Sequence, residues 1–354
     1  MKNKRVLIMA GGTGGHVFPA LAIAKKLQES GYEILWLGTR GRMEEMLVPK
    51  HGFNIEYIDV KGIRRNGLKA KLTAPFMLVR SILEALAVLR KFRPGVCIGM
   101  GGYASGPGGV AAYLLRIPLV LHEQNAAAGL TNRLLFKLAS RVLLGFPGAF
   151  SGSKVKLVGN PVREEIMALH ESKRDFNYGK LCVLIVGGSL GAKALNEKLP
   201  EALKQFGDRI EVVHQAGKGN SEATLERYKG ASFSYQVSDF INDMDKVYLW
   251  AHLIICRAGA LTVAEVSAAG LPAVFIPLPT AVDDHQTKNA MTMVNAGASK
   301  IIAQQDLNEE SLKAAIEPLL NDRSLLDKMA SKARAQASLH ATDEVVAVID
   351  SLVK

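Results

Sequence analysis

The sequence predicts an α/β protein made of two doubly wound, parallel-sheet domains in tandem. Short apolar strands alternate with segments of helical period along most of the 354 residues. This alternation restarts after Gly159-Asn-Pro161. Three of the strands run into a glycine-rich turn that opens a helix, in residues 6–15, 96–109 and 183–191.

Six strands are predicted in each domain. The apolar runs of the first domain are 5–9, 33–37, 55–59, 96–98, 119–121 and 142–144, and those of the second are 182–186, 210–214, 234–237, 253–256, 273–276 and 299–302. We therefore predict an N-terminal domain at 1–160 and a C-terminal domain at 161–339, with a compact hinge at 159–162. Amphipathic helices are expected over 307–353, with Asp306 or Asn308 capping the first. The last, about 340–354, is expected to pack back on the N-terminal domain.

The three glycine-rich turns have the size and chemistry of phosphate receptors. Glycine permits positive φ and close approach of a ligand, and the amides at a helix start favour negative charge. A phosphorylated ligand held between the two domains is the leading hypothesis, and three plain strand-to-helix turns are the alternative. The run Gly-Thr-Gly-Gly-His-Val17 after Gly11 lacks the third glycine of the dinucleotide fingerprint, which argues against nicotinamide binding.

Composition limits the class of protein. No uncharged apolar run reaches the roughly eighteen residues of a membrane span, and the apolar stretch behind the basic start is too short for a signal peptide. Cys97, Cys182 and Cys256 lie in or beside strand-like runs and are predicted to be small buried hydrophobes in a reducing cytoplasm. No Cys/His spacing resembles a zinc site, so no tightly bound metal is expected.

Most of the net charge of +11 comes from one segment, because residues 61–93 contain nine basic residues and a single acidic one. This concentration indicates an anionic surface as partner. Within it, a helix predicted near 73–91 has an apolar face. Burial against the sheet explains its later members (Ile82, Leu83, Leu86), whereas Leu72, Phe76 and Val79, bordered by Lys69, Lys71 and Arg80, are candidates for peripheral docking on anionic headgroups. Neither tryptophan lies here, so the attachment should be sensitive to salt.

Several polar residues follow predicted strands and are candidates for chemistry. His16 follows the first glycine turn and could accept a proton, or could be a helix-start histidine that bonds locally. Glu265 lies about one and a half turns into the helix that Gly259 opens and could take both ribose hydroxyls, or be a solvated glutamate. Arg163 could offer a planar fork to phosphate oxygens, or lie idle on the surface.

Two further clusters carry the same ambiguity. The strand ending at Leu121 delivers His122-Glu-Gln-Asn125, which is dense for a structural turn. In the run 283–289, Gln286 and Asn289 are three residues apart at a predicted helix start and could reach the hydroxyls of one sugar. Helix capping explains the run equally well.

The ordered set of motifs resembles the MurG family of glycosyltransferases over essentially the whole chain. The motifs are Gly11-Gly-Thr-Gly-Gly-His16, Gly99-Met-Gly-Gly-Tyr-Ala-Ser-Gly-Pro-Gly108, His122-Glu-Gln-Asn125, Gly159-Asn-Pro-Val-Arg163, Gly187-Gly-Ser-Leu-Gly-Ala192 and Ala260-Leu-Thr-Val-Ala-Glu265. The resemblance implies a GT-B fold and an inverting transfer of GlcNAc from UDP-GlcNAc to the C4 hydroxyl of MurNAc in lipid I. The product would be lipid II, for peptidoglycan synthesis, made at the cytoplasmic face of the inner membrane.

The resemblance also implies roles for individual residues. The donor contacts would be Thr13, Gly14, Gly15, Asn125, Arg163, Ser189, Ile241, Ala260, Leu261, Thr262, Val263, Ala264, Glu265 and Gln286. Glu265 would hold ribose, Ser189 and helix-start amides the phosphates, Ile241 the uracil edge, and Asn125 and Gln286 the sugar. The acceptor diphosphate would meet Gly101, Gly102, Tyr103, Ser105, Gly106 and Gly108.

In the implied reaction the acceptor hydroxyl attacks C1 as UDP departs, and a base takes its proton. His16 is the first candidate for this base and Glu123 the second. No tightly bound cofactor is expected, although a divalent cation could assist, and no nucleic-acid partner is expected. Two rival functions stay open: a UDP-GlcNAc 2-epimerase of the same fold, and a nonenzymatic module that binds nucleotide sugars or nucleic acid.

Overall fold

The computed structural model describes residues 3–60, 68–177, 179–188 and 191–353, with the backbone alone for 68–74. The chain divides into two compact units. The N-terminal unit contains Met1–Arg163 and His340–Lys354, and the C-terminal unit contains Glu164–Leu339. The sequence placed the division at 160/161.

The N-terminal unit is built on a seven-stranded, all-parallel sheet. Its strands are β1 (Arg5–Met9), β2 (Glu33–Gly38), β3 (Asn54–Tyr57), β4 (Val96–Gly99), β5 (Leu119–Glu123), β6 (Arg141–Leu144) and β7 (Val155–Leu157). Its helices are α1 (Gly14–Glu29), α2 (Met43–Lys50), α3 (Leu68–Phe92), α4 (Ser105–Leu114), α5 (Leu130–Leu135) and, at the end of the chain, α14 (Ala341–Leu352). The strand order is β3-β2-β1-β4-β5-β6-β7.

The C-terminal unit repeats this plan on a six-stranded parallel sheet. Its strands are β8 (Leu181–Val186), β9 (Ile210–Gln215), β10 (Ser234–Ser238), β11 (Leu253–Cys256), β12 (Ala273–Phe275) and β13 (Ser299–Ile301), in the order β10-β9-β8-β11-β12-β13. Its helices are α6 (Glu164–Met167), α7 (Lys193–Leu203), α8 (Ser221–Arg227), α9 (Met244–Trp250), α10 (Ala260–Ala268), α11 (His285–Asn295), α12 (Glu309–Asn321) and α13 (Ser324–Arg334). The predicted fold class, two doubly wound parallel-sheet domains, is confirmed.

Each core lies on both faces of its sheet, which explains why the strands read as continuous apolar runs. In β1, Val6 and Ile8 pack into one hydrophobic cluster of the N-terminal unit, while Leu7 and Met9 pack into another. Parallel strands covered by helices on both faces need apolar side chains at every position. This pattern made the central strands easy to locate from the sequence.

The structure differs from the sequence prediction at two elements. The edge strand β7 was not predicted, because it is only three residues long and exposes two of them, Lys156 and Leu157, to solvent. Helix α3 begins at Leu68, before the predicted start near Thr73, and includes Pro75 in its interior. Elsewhere, Asn308 caps α12 as predicted, accepting from the Ser311 amide at 2.9 Å.

The last helix belongs to the N-terminal unit and packs on α1. Val345 and Ile349 of α14 enter the same hydrophobic cluster as Val17 and Ile23. The Tyr32 hydroxyl donates to Asp350 at 2.7 Å. Within the described residues, no helix is long and apolar enough to span a bilayer.

Candidate active site

Each sheet places two loops at its own topological switch point, where the strand order reverses. In the N-terminal unit β1 and β4 are neighbours, so the first and second glycine-rich turns leave the same edge of the sheet. In the C-terminal unit β8 and β11 are neighbours, and they are followed by the third turn and by the loop that opens α10. Open α/β sheets bind ligands at this position.

The first glycine-rich turn ends in the start of α1. Gly12 takes a φ of +90°, which a side chain would strain, and Thr13 is the N-cap residue of α1. The amides of Gly14 and Gly15 belong to the first helical turn, where the helix has no carbonyl to offer them. The Gly12 amide instead donates at 2.9 Å to the carboxylate of Glu44, a fully buried residue of α2. Sequence reasoning missed Glu44, since a lone glutamate in a helix carries no motif.

His16 is held between the first two turns. Its Nδ1 atom lies 3.2 Å from the Gly11 carbonyl oxygen and 3.4 Å from the Thr13 hydroxyl. Its Nε2 atom faces the second turn, since a Cβ added to Gly101 would lie 3.0 Å from it. Gly101 and Gly102 both have positive φ, and a side chain on Gly102 would collide with the Gly11 carbonyl. The histidine thus bonds locally and also faces the second loop.

The second glycine-rich turn has fewer groups available to a ligand than the sequence predicted. The Ser105 hydroxyl is buried and lies 2.8 Å from the Met9 carbonyl oxygen and 2.7 Å from the Gly101 carbonyl oxygen, which share its single proton. It therefore holds the turn together and does not face an acceptor substrate. Gly108 fits against Met9, so it serves helix packing. Tyr103 is partly exposed under the Arg42 guanidinium.

The open groups of this turn lie at the start of α4. Ser105 and Gly106 supply its first amides, and a Cβ on Gly106 would meet only Thr131 at 3.8 Å. An acceptor diphosphate could therefore approach Gly106 closely.

The cluster His122 to Asn125 is mostly structural. His122 is fully buried, donates from Nε2 to the Gly159 carbonyl oxygen at 3.0 Å, and has its pKa lowered to about 4 by burial. The Glu123 carboxylate is also buried and accepts from the Asn125 and Gly129 amides and from the Asn132 side chain. These donors occupy both of its oxygens, which disfavours Glu123 as the base.

Arg163 lies in the N-terminal unit against α1. Its guanidinium stands over the ring of Phe18, 5.5 Å from the centroid. The side chain is therefore not idle on the surface. Asn125 is partly exposed, and its side chain donates to Glu123 at 3.3 Å.

In the C-terminal unit, α10 presents the amides of Ala260, Leu261 and Thr262 at its start. Val263 differs from these predicted contacts, because it is buried and its amide donates to the Gly259 carbonyl at 2.9 Å. Ala264 is partly exposed on the next position of the helix. Only the first three residues therefore offer helix-start donors.

Glu265 is not a solvated glutamate, which was the alternative to a ribose contact. It is only 6% exposed, and the Tyr248 hydroxyl donates to its Oε2 atom at 3.3 Å. A buried carboxylate that accepts from a tyrosine in this way is oriented rather than free to rotate. This suits it to a fixed pair of hydroxyls.

The remaining predicted donor contacts have protein partners of their own. The Ile241 amide donates to the Gln215 side chain at 3.0 Å, and the Gln286 side chain accepts from the Leu278 amide at 2.9 Å. Asn289 is fully buried and donates to the Ala258 carbonyl, so it holds a loop and does not pair with Gln286 on a sugar. Ser189 lies outside the described residues.

The apolar face of α3 is exposed at its N-terminal half. Phe76 is 82% exposed and Val79 is also exposed, whereas Leu86 is buried as predicted. The predicted burial of Leu83 is wrong, because this residue is 60% exposed. Arg80 is paired with Glu84 at 2.9 Å and with Asp59 at 3.5 Å. The side chains of Lys69, Lys71 and Leu72 lie outside the described part of the chain.

No group of three or more His, Cys, Asp or Glu side chains in the described residues could hold a metal ion. Cys97 and Cys256 are buried and Cys182 is partly buried, and burial raises the pKa of the Cys182 thiol to about 11.

Comparison with known proteins identifies relatives over the whole chain. The glycosyltransferase family 28 N-terminal domain matches residues 6–144, and the C-terminal domain of the same family matches residues 182–345. A protein of Aeromonas hydrophila, 54% identical over 97% of this chain and 95% of its own length, is named UDP-N-acetylglucosamine–N-acetylmuramyl-(pentapeptide) pyrophosphoryl-undecaprenol N-acetylglucosamine transferase.

Two solved structures bear on the fold and on the rival function. The crystal structure of Acinetobacter baumannii MurG is 44% identical, with a TM-score of 0.84 over 98% of this chain and 99% of that one. A UDP-GlcNAc 2-epimerase from Neisseria meningitidis, bound to UDP-GlcNAc, has a TM-score of 0.68 over 98% of this chain and 100% of that one. Its 16% identity shows a shared fold alone.

Proposed function

Since the chain belongs to glycosyltransferase family 28, we infer that it transfers N-acetylglucosamine from UDP-GlcNAc to the N-acetylmuramyl sugar of undecaprenyl-linked lipid I. The product is lipid II, the building block of peptidoglycan. The observation that carries this inference is the 54% identity to a transferase of that name over nearly the full length of both chains. The epimerase alternative has only a distant likeness of fold behind it.

The C-terminal unit offers the chemistry that a nucleotide-sugar donor needs. The open amides of Ala260, Leu261 and Thr262 suit a diphosphate, because they combine hydrogen-bond donors with the positive end of a helix. Glu265, one turn further along α10, would accept from both ribose hydroxyls, and the Tyr248 hydroxyl orients its carboxylate. Ile241 would meet the uracil edge through its carbonyl, since its amide already donates to Gln215.

His16 is the proposed base. The Gly11 carbonyl can only accept, so the His16 Nδ1 atom carries the proton and Nε2 carries the lone pair. Nε2 takes the proton from the C4 hydroxyl of the acceptor while the oxygen of that hydroxyl forms a bond to C1 of GlcNAc. In the same step the bond from C1 to the diphosphate oxygen breaks, and UDP leaves with the electron pair. The configuration at C1 is inverted by this single displacement.

The negative charge that develops on departing UDP calls for fixed donors. The helix-start amides of α10 would supply them at no reorganisation cost, which is the arrangement that stabilises a transition state most effectively. Arg163 and Ser189 stay predicted contacts for this charge. In the N-terminal unit, the start of α4 at Gly106 would receive the acceptor diphosphate.

Incubation with labelled UDP-GlcNAc and a lipid I analogue tests this function. We expect a disaccharide product that retains the label. Formation of the 2-epimer, or binding with no product, would contradict the assignment. In the same assay, His16→Ala should lower kcat at least a hundredfold, because general-base catalysis contributes about 10²- to 10⁴-fold. The donor KM should change little, and an unchanged kcat would remove His16 from this role.

We further propose that the N-terminal half of α3 docks on the anionic inner-membrane surface from the cytoplasmic side. Phe76 and Val79 are exposed apolar side chains next to a strongly basic segment. Such a face inserts at the headgroup boundary, and each neighbouring cation adds about 1 kcal/mol on an anionic surface. Arg80 contributes less than its charge suggests, because Glu84 and Asp59 partly neutralise it.

Vesicle sedimentation tests this docking surface. Vesicles containing anionic lipid should bind the protein at low salt and release it at high salt, since exposed charges are screened. The Phe76→Ser/Val79→Ser double variant should bind several-fold more weakly. Met46→Ser removes an exposed apolar side chain from α2 and should bind like the parent. Equal loss in both variants would refute the assignment to α3.

A further inference from the structure

The carboxylate of Glu44 is buried beside the first glycine-rich turn with no role in the transfer described above. It is fully buried, and its Oε2 atom accepts from the Gly12 amide at 2.9 Å. Its Oε1 atom accepts from the Thr39 hydroxyl at 2.8 Å and from the Thr39 amide at 3.2 Å. A side chain on Gly11 would collide with this carboxylate, so the glycine there makes room for it.

The same peptide group connects Glu44 to His16. The Gly12 N–H, which donates to Glu44, and the Gly11 C=O, which faces His16 Nδ1 at 3.2 Å, are the two ends of one planar peptide. A negative charge at the N–H end polarises the peptide and makes its carbonyl oxygen a stronger acceptor. The effect of a buried charge is therefore transmitted from Glu44 through the 11–12 peptide group to the imidazole of His16.

We propose that Glu44 is a positioning residue for His16. Through the 11–12 peptide it holds the imidazole in the tautomer with the proton on Nδ1, so that Nε2 carries the lone pair toward the second glycine-rich turn. This inference rests on the proposed role of His16. The carboxylate plays the part that a directly bonded Asp plays beside a catalytic histidine, but it acts across one peptide group.

A second consequence concerns the first turn as a phosphate receptor. Its Gly12 amide already donates to an internal anion, so the ligand-binding capacity of the turn resides in Gly14 and Gly15 at the start of α1. The buried charge is tolerated because three hydrogen bonds satisfy it and because Glu44 itself lies in the first turn of α2, where a helix favours negative charge.

The test combines kinetics with the tautomer of His16 in the full-length protein. In protein labelled with ¹⁵N-histidine, long-range ¹H–¹⁵N correlation distinguishes the two neutral tautomers, and the His16→Gln spectrum identifies the His16 signals. We expect the Nδ1–H form in the parent. In Glu44→Gln we expect a mixture of tautomers and a kcat about ten- to a hundredfold lower, by analogy with the range for removing the outer partner of a metal-ligating histidine. The donor KM should stay within about threefold of the parent.

Thr39→Val is the matched control. It removes the hydroxyl that donates to Oε1 and leaves the Oε2 bond to Gly12 intact, so tautomer and kcat should match the parent. An Nε2–H tautomer in the parent protein would overturn the proposal without any variant. If His16→Ala is inactive while Glu44→Gln keeps the parental kcat and tautomer, the inference fails and the proposed base stands. If His16→Ala retains full turnover, the proposed base itself is wrong.

Discussion

Lowering the pH from 7 to 5 should destabilise the C-terminal unit through His214, which is fully buried on β9. Its Nε2 atom lies 3.1 Å from the Asn196 side-chain oxygen and its Nδ1 atom 2.9 Å from the Tyr228 hydroxyl. The amide oxygen only accepts, so Nε2 carries the proton and Nδ1 accepts from Tyr228. A second proton on Nδ1 would leave the Tyr228 hydroxyl facing a donor, and both side chains are fully buried from bulk solvent.

The sign and size of the effect follow from proton linkage. Burial lowers the pKa of His214 to about 3 in the folded protein, against the ordinary value of 6.5 in the unfolded chain. Between these values the unfolded chain binds a proton that the folded one lacks, so the free energy of unfolding falls as the pH drops below 6.5 and levels off near 3. From pH 7 to pH 5 the loss is about 2 kcal/mol.

The two tryptophans allow each unit to be followed separately, since Trp36 lies on β2 and Trp250 ends α9. In a Trp36→Phe background, fluorescence during urea unfolding reports on the C-terminal unit alone. The loss of stability between pH 7 and pH 5 should shrink by about 2 kcal/mol in His214→Gln. His285→Gln, which removes a partly exposed histidine of the same unit, should keep the parental loss. Equal losses in the parent and in His214→Gln would refute the reasoning.

Three further predictions concern packing, donor binding and capping. Gly108→Ala places a Cβ against Met9 and Leu37 and should cost the N-terminal unit about 1–3 kcal/mol in urea unfolding; an unchanged midpoint would contradict the packing role. Glu265→Gln should raise the donor KM at least about tenfold with a smaller change in kcat, because a charged hydrogen bond contributes roughly 1.5–3 kcal/mol. A KM within twofold of the parent would argue against the ribose contact. Asn308→Ala removes the side-chain oxygen that accepts from the Ser311 amide, while the backbone amide at 308 can still donate to the Ser311 hydroxyl, and it should lower stability by about 1 kcal/mol. Glu309→Gln is the control, and equal stability of the two variants would count against the cap.

The fold could be predicted from the sequence where burial dictates composition. Central strands such as β1 and β8 are apolar at almost every position because helices cover both faces of the sheet. The edge strand β7 pairs with only one strand, β6, and carries a lysine at its central position, so its sequence pattern is that of a loop. The sequence predicted a helix start near 73, whereas α3 begins at Leu68 and includes Pro75 in its interior, a position where proline is disfavoured.

The position of the candidate site could be predicted from the sequence more readily than the role of each residue in it. Polar residues and glycine-rich turns that follow strands predicted a candidate site, and the structure places the loops that lead to His16 and Glu265 at the switch points of the two sheets. Whether a polar side chain at such a point faces a ligand or the protein depends on packing partners far along the chain. Ser105 bonds a carbonyl 96 residues away, and the buried carboxylate of Glu123 accepts from Asn132. No local pattern distinguishes these residues from ligand contacts.

Glu44 shows why a glycine-rich turn alone does not define an anion site. The turn after β1 and the start of α10 both expose amides at a switch point, and both read as phosphate receptors. In the first, an internal carboxylate already accepts from Gly12, so part of its donor capacity supports the imidazole of His16 instead of a ligand. In the second, the first three amides of α10 belong to a helix end with no carbonyl of its own to bond. Of these two loops, the start of α10 is therefore expected to be the stronger phosphate receptor, and the turn after β1 is expected to contribute chiefly to proton transfer.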